Sequence, residues 1–453
     1  MLSSVTRYSL YALLIFTPLA IGSVQGWAIS VIHLVTLLAL TAFLCKKSLA
    51  WSWTWITTPL DKPILCILIL CLVSSVFSLH TYTSIHSFIL MCNYVIIFYL
   101  IIHTVHTRSQ LRELVYLIIG LAALISIIGM LKNFCGNPFP WWDYTDFQKD
   151  STRLSSTFGN ANHLAGYMEM TILLLLGLFL MGFREMKLFL MIVLAILLFI
   201  SLMLSLSRGG GLGALTGLIF MCVALFFNPY FHSKKLLITL VFGFFVVSFI
   251  VLSSTSVVKR IRTIEEMETI SKLRSRVARA TYWGGVVKMI KDYPLLGTGP
   301  GTFATVFTQY QPPGFASRYF DAHNDYLQFT SETGLALVPV MVWMIIAFFV
   351  KGFKKLNHPS RLVRGTTLGA MSGVTAILFH SIFDYNLHIP ANAILFTVLA
   401  AIVVSPVPTA DSREQRVRSL EGEKVRGQRT EARRLEGEKV RGLEGKEQRS
   451  ECK

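Results

Sequence analysis

Between residues 320 and 334 the chain reads FDAHNDYLQFTSETG, which gathers Asp321, His323, Asn324, Asp325 and Glu332 in an otherwise strongly apolar sequence. An imidazole accepts a proton from a hydroxyl near neutral pH and later releases it, so His323 suits general-base chemistry. Asn324 and Asp325 are the neighbours able to orient its ring; a loop histidine with purely structural bonds is the competing reading. Three arginines stand apart in sequence: Arg208 in SLSRGGG, Arg279 in ARATYW and Arg153 in STRLSSTFGN. Guanidinium groups bind phosphate oxygens with a planar two-pronged fork. Converging, they point to a phosphate or pyrophosphate ligand; singly, each is a surface charge. The glycines after Arg208 would open a helix whose free amides favour an anion. The turn LLGTGPGTF (295–303) would let backbone amides approach a ligand closely, although most such turns only reverse the chain. Two smaller clusters complete the set. STFGNANHLAGY (156–167) carries Asn160, Asn162 and His163, and FHSIFDYNLHIP (379–390) carries His380, Asp384, Asn386 and His388. His380 and Asp384, four residues apart, are expected on one helical face. Ionisable groups near membrane depth are costly and tend to mark function, but interface hydration explains His163 and His388 equally well. His33 reads as a buried mid-span residue without an evident partner.

These residues must be carried by membrane helices. Of 453 residues, 53% are hydrophobic and 15% charged, a balance suited to lipid rather than water. A spanning helix needs about 20 largely apolar residues. Twelve runs qualify, near 8–24, 28–45, 63–79, 87–103, 112–131, 164–182, 186–206, 210–227, 235–253, 335–350, 363–383 and 390–406. The first lacks a convincing cleavage site and is retained as a span. The expectation is an all-α polytopic membrane protein of about 12 transmembrane helices. Helices 1–9 would occupy 1–253, with a shorter loop at 132–163; a long loop would run over 254–334, and helices 10–12 over 335–407. Lys46/Lys47, Arg108/Arg112, Arg184/Lys187, Lys234/Lys235 and the Lys351–Arg364 cations lie in alternate short loops. The positive-inside rule makes that face cytoplasmic, with both termini inside and both long loops outside. Within the long loop, residues 259–294 have the spacing of one or two amphipathic helices lying on the membrane surface.

The net charge of +17 belongs largely to this topology and to the outer loop. No basic stripe is interleaved with aromatics, so nucleic acid is not an expected partner. Of seven cysteines only Cys135 should face the outer compartment, which gives no disulfide framework; without a CxxC, structural zinc is not expected either. The segment 408–453 repeats LEGEKVRG at 420–427 and 435–442 and holds almost no large apolar residues. It is expected to be a disordered, charged cytoplasmic tail.

HNDYLQFTSETGLAL fits a pattern of His-Asn, nine residues, Gly, two residues and Leu, with Gly334 and Leu337 closing it. Together with STFGNANHLAGY, SLSRGG, the run from Arg279 through DYPLLGTGPGTF and HSIFDYNLHIP, it resembles the O-antigen ligase family over roughly 150–405. The resemblance implies an all-helical glycosyltransferase of the GT-C type in the bacterial inner membrane. Its active side would be periplasmic, with no metal and no cofactor. The donor would be a glycan on undecaprenyl pyrophosphate, and the acceptor a lipid A–core sugar, a growing glycan or a protein. It implies His323 as base and Arg208, Arg279 and Arg153 as pyrophosphate-binding groups. Asn324, Asp325, His163, Asn160, His380 and Asp384 are expected to support them. O-antigen polymerases and protein O-oligosaccharyltransferases share the motifs and remain alternatives. A polysaccharide transporter is the alternative of another class, but transporters place polar groups at mid-bilayer between repeated halves.

Overall fold

The structure is a computed structural model, and it describes residues 2–51, 53–136, 153–180, 185–227, 243, 282–311, 318–407 and 409. These residues form helices and connecting turns, and no β-strand occurs among them. In chain order the helices are α1 (Leu2–Leu19), α2 (Gly26–Leu49), α3 (Asp61–Val76), α4 (Thr81–Ile102), α5 (Arg108–Phe134), α6 (Ala161–Phe179), α7 (Glu185–Leu204) and α8 (Arg208–Phe227). There follow helical residues 282–292 (α9), then α10 (Phe303–Val306), α11 (Asp325–Thr333), α12 (Leu337–Leu356), α13 (Arg361–His380) and α14 (Pro390–Val404).

Eleven of the twelve apolar runs coincide with helices; the other, 235–253, lies outside the described residues apart from Gly243. Among the described residues, seven helices (α2, α4, α5, α6, α8, α12 and α13) are long and apolar enough to cross a membrane. The apolar part of α7, Leu188–Leu204, and α14 are shorter apolar helices. The chain is therefore an all-α, multi-pass membrane protein.

The bundle is organised around α6 and α13, the two candidate spans most deeply covered by neighbours, with α8 packed against both. Small residues make this possible, because without a hydrophobic drive inside lipid, helices associate by close backbone packing. A Cβ at Gly213 would lie 2.5 Å from Glu169 Oε2 and 2.9 Å from the Ala376 carbonyl. One at Gly369 would lie 2.8 Å from the Leu173 carbonyl, and one at Gly373 2.9 Å from that of Met170. On the periphery, α2, α4 and α12 present leucine, isoleucine and valine outward.

Among the described residues the turns collect at the two ends of the bundle. One end collects the turns at 20–25, 77–80, 205–207, 293–302, 318–336 and 381–389. The other carries Lys46, Lys47, Arg108, Lys354, Lys355, Arg361 and Arg364, where Thr107 and Thr409 also form an isolated bridge. In the described part of the long loop the apolar face that the amphipathic spacing specifies is covered within the protein. Tyr282, Val286, Met289 and Ile290 of α9 pack with Phe303, Val306, Phe307 and Ala322 into a second small apolar core. Amphipathic spacing specifies an apolar face but not its partner, and here the partner is the same loop. Residues 259–281 and the tail from 410 onward lie outside the described residues.

His33 does have a partner: Asn93 of α4 places its side-chain nitrogen 2.7 Å from His33 Nδ1. Their separation of 60 residues hides the pairing from local sequence patterns.

Candidate active site

The loop carrying His323 is pinned on both sides. The Ala322 carbonyl accepts hydrogen bonds from the Tyr282 hydroxyl and from Trp283 Nε1, the latter at 2.9 Å, while the Ala322 amide donates to Gln328 Oε1 at 2.8 Å. His323 itself has φ +46°, a left-handed conformation that costs a residue with a Cβ and is held only by surrounding contacts. Asn324 then caps α11, its side-chain oxygen accepting from the Leu327 amide at 3.0 Å.

The ring of His323 is oriented by a residue 61 positions away. Asp384 Oδ1 lies 3.3 Å from His323 Nδ1, with the carboxylate almost fully buried and the imidazole one-third exposed. Burial disfavours the Asp384 carboxylate. The hydrogen bond from His323 and the imidazoles of His163 and His380 outweigh it and hold the carboxyl well below the usual range. Tyr385 sits between two of these rings, its centroid 5.0 Å from His323 and 4.9 Å from His163, edge-on to both. Asn160 caps α6 by accepting from the Asn162 amide at 2.8 Å.

Asn324 and Asp325 do not orient the His323 ring, contrary to the expectation from their adjacency. Besides capping, Asn324 donates to the Ile382 carbonyl at 3.0 Å. Asp325 accepts from the Ser381 hydroxyl at 2.6 Å and the Leu387 amide at 3.0 Å, and pairs with His388 Nδ1 at 2.6 Å. At the first turn of α11 both side chains point into the 381–388 turn, which they fasten to the loop. The pair raises His388 to about 9: burial favours the neutral ring, but the Asp325 hydrogen bond and charge, with Glu332 and Asp321, prevail.

His380 and Asp384 do not share a helical face: the Asp384 amide donates to the His380 carbonyl at 3.1 Å, but their side chains take other partners. Helix α13 ends at His380, so the four-residue spacing crosses a helix end, and Asp384 lies in the following turn. His380 turns inward, 3.1 Å from Glu169 Oε1 of α6, and both residues are fully buried. Sequence reasoning missed Glu169, and the only available signal was a carboxylate inside an apolar run. It also left Tyr385 and the pairing of His388 unassigned.

Arg153 and Arg208 reach the same end. Arg153 is half-buried, near Asp384, with Nε donating to the Ser205 carbonyl at 2.9 Å and a terminal N–H to Asn162 Oδ1. It is thus a tie between the 153–160 segment, the α7–α8 turn and α6, rather than a purely outward cation. Arg208 opens α8 and is exposed. Its neighbour Gly209 lies against the His380 ring, where a Cβ would approach Nε2 to 2.7 Å, and a Cβ at Gly210 would meet that of Ala165 at 2.5 Å. Close helix packing accounts for these two glycines. Arg279 lies outside the described residues.

The glycine-rich turn at 295–303 offers its amides to the protein. Gly299 N–H donates to the Glu332 carbonyl at 2.8 Å, and the Gly301 and Phe303 amides donate to the Glu332 carboxylate at 2.8 and 3.2 Å. Burial nevertheless pushes the Glu332 carboxyl up, against His388 and these two amides. A buried carboxylate so placed takes the donors that a ligand would need.

One end of this multi-pass helical membrane protein thus carries carboxylate–imidazole pairs and two arginines, side chains chemically able to exchange a proton and to attract an anion. Residues 192–342 match the family model described as O-antigen ligase, and the match supports an O-antigen ligase-related family and a membrane enzyme of ligase or polymerase type. The matched segment contains Arg208, Arg279 and His323, while Asp384 and His380 lie beyond it. No curated protein matches the chain.

Proposed function

We propose that this protein transfers a glycan from undecaprenyl pyrophosphate to an acceptor hydroxyl at the periplasmic face of the bacterial inner membrane. The observation that carries the reading is the His323–Asp384 pair at the end that also holds Arg153 and Arg208. Topology supports it: the opposite end carries the basic short loops, which the positive-inside rule assigns to the cytoplasm.

In this reading Asp384 accepts from the Nδ1–H of His323, leaving Nε2 as the basic nitrogen. Nε2 takes the proton of the acceptor hydroxyl as its oxygen attacks the anomeric carbon from the face opposite the pyrophosphate. The bond from that carbon to the pyrophosphate oxygen breaks, and the configuration inverts. Arg208, with Arg279 and Arg153, binds the pyrophosphate and stabilises the charge growing on it, an electrostatic contribution that needs no second carboxylate because pyrophosphate leaves readily. The reaction draws on no cofactor.

The acceptor is a lipid A–core sugar in the favoured ligase reading, a growing glycan in a polymerase and a protein in an O-oligosaccharyltransferase. The test is transfer by purified protein from lipid-linked glycan to each acceptor class. His323→Ala should abolish transfer while leaving membrane insertion intact, and Arg208→Ala should reduce it strongly. Transfer at the wild-type rate by His323→Ala would overturn the reading.

A further inference from the structure

At the opposite end of the bundle from the candidate active site lies a cavity of about 200 Å³, lined by Arg7, Lys46, His103 and His106 with the hydroxyls of Ser3, Thr6 and other residues. Its lining combines two cations, two imidazoles and several hydroxyls, all suited to phosphate oxygens. The partial counter-charge is Glu113, 3.6 Å from one Arg7 terminal nitrogen and itself half-exposed.

The cavity is built rather than incidental. His103 is 94% buried, since its exposure is only 6%, and lies between aromatic rings, 5.4 Å from Phe43 and 4.8 Å from Trp55. Its Nε2 is buried with no hydrogen-bond partner, and so is Arg7 Nε. A buried polar nitrogen left without a partner is costly, and two at one cavity are there for a ligand to meet.

The surroundings show where that ligand comes from. Trp51, Trp53 and Trp55 are exposed immediately after α2, and α2 itself presents Leu34, Leu37, Leu38 and Leu44 outward. Tryptophans that follow a lipid-facing stretch mark headgroup level. We infer that this cavity binds a phosphate group, held by Arg7, Lys46 and His103, and that a membrane-lipid headgroup supplies it at the interface opposite the candidate active site.

The test uses the full-length protein in detergent and two radiolabelled ligands, inorganic phosphate and a short-chain phosphatidic acid. The expected result is saturable binding of the lipid. Lys46→Gln, at an exposed position whose loss does not threaten folding, should weaken it about tenfold, the loss of one charge-assisted contact. Arg7→Gln with Lys46→Gln should remove it. Phosphate binding as tightly as the lipid, with the same loss in both variants, would support the site but make a free anion the ligand. Absence of saturable binding, or binding retained in full by the double variant, would overturn the inference. None of these outcomes depends on glycan transfer, so the inference and the proposed function fail independently.

Discussion

Replacing Asp384 by Asn preserves shape and volume while removing the charge that faces His323. Its Oδ1 lies 3.3 Å from Nδ1, and the carboxylate is almost wholly buried, whereas the imidazole is one-third exposed. A hydrogen bond to a charged group contributes roughly 1.5–3 kcal/mol, and solvent at the imidazole screens part of that. About 1–2 kcal/mol then remains to align the ring and stabilise the imidazolium formed in the transition state. That predicts a fall in kcat of roughly 5- to 30-fold for Asp384→Asn. The assay is glycan transfer by purified variants, with KM measured alongside kcat and thermal unfolding as the folding control. If the two residues act as a unit, any residual transfer by His323→Ala should not fall further when Asp384→Asn is added. Unchanged kcat in a folded Asp384→Asn protein would refute the reasoning. So would additive losses, which would mean that the carboxylate acts elsewhere.

Two further outcomes test the architecture. His388 is raised from its ordinary value to about 9 by its pairing with Asp325, so its contribution to stability is fully present below about pH 6.5 and is lost as pH rises through 9. Thermal unfolding between pH 6.5 and 10 should therefore show falling stability in the wild type and a flatter profile in His388→Gln. In the core, Gly369→Ala places a Cβ 2.8 Å from both the Leu173 carbonyl and Leu174 Cα, so backbone must move; the expected cost is about 1–3 kcal/mol, read as a lowered Tm. Gly120→Ala, which meets nothing within 4 Å, should leave Tm unchanged or slightly raised.

The sequence alone determined the class and where most of the apolar helices lie. Apolar length is a one-dimensional property, so helix positions emerge from runs of about 20 residues, and alternating Lys and Arg order the loops between two ends. Candidate residues were legible in the same way, because polar side chains at span ends are conspicuous against apolar neighbours. Partners were not legible. Adjacency suggested that Asn324 and Asp325 would orient His323, and a four-residue spacing suggested that His380 and Asp384 share a helical face. In the folded chain Asp384 meets His323, Asp325 meets His388, and His380 meets Glu169 from 211 residues away. Those pairings depend on where α13 ends and on how closely glycines let α6, α8 and α13 approach. Both are decided by packing in three dimensions: a buried donor or acceptor takes whichever partner the backbone brings within about 3 Å, irrespective of its distance along the chain.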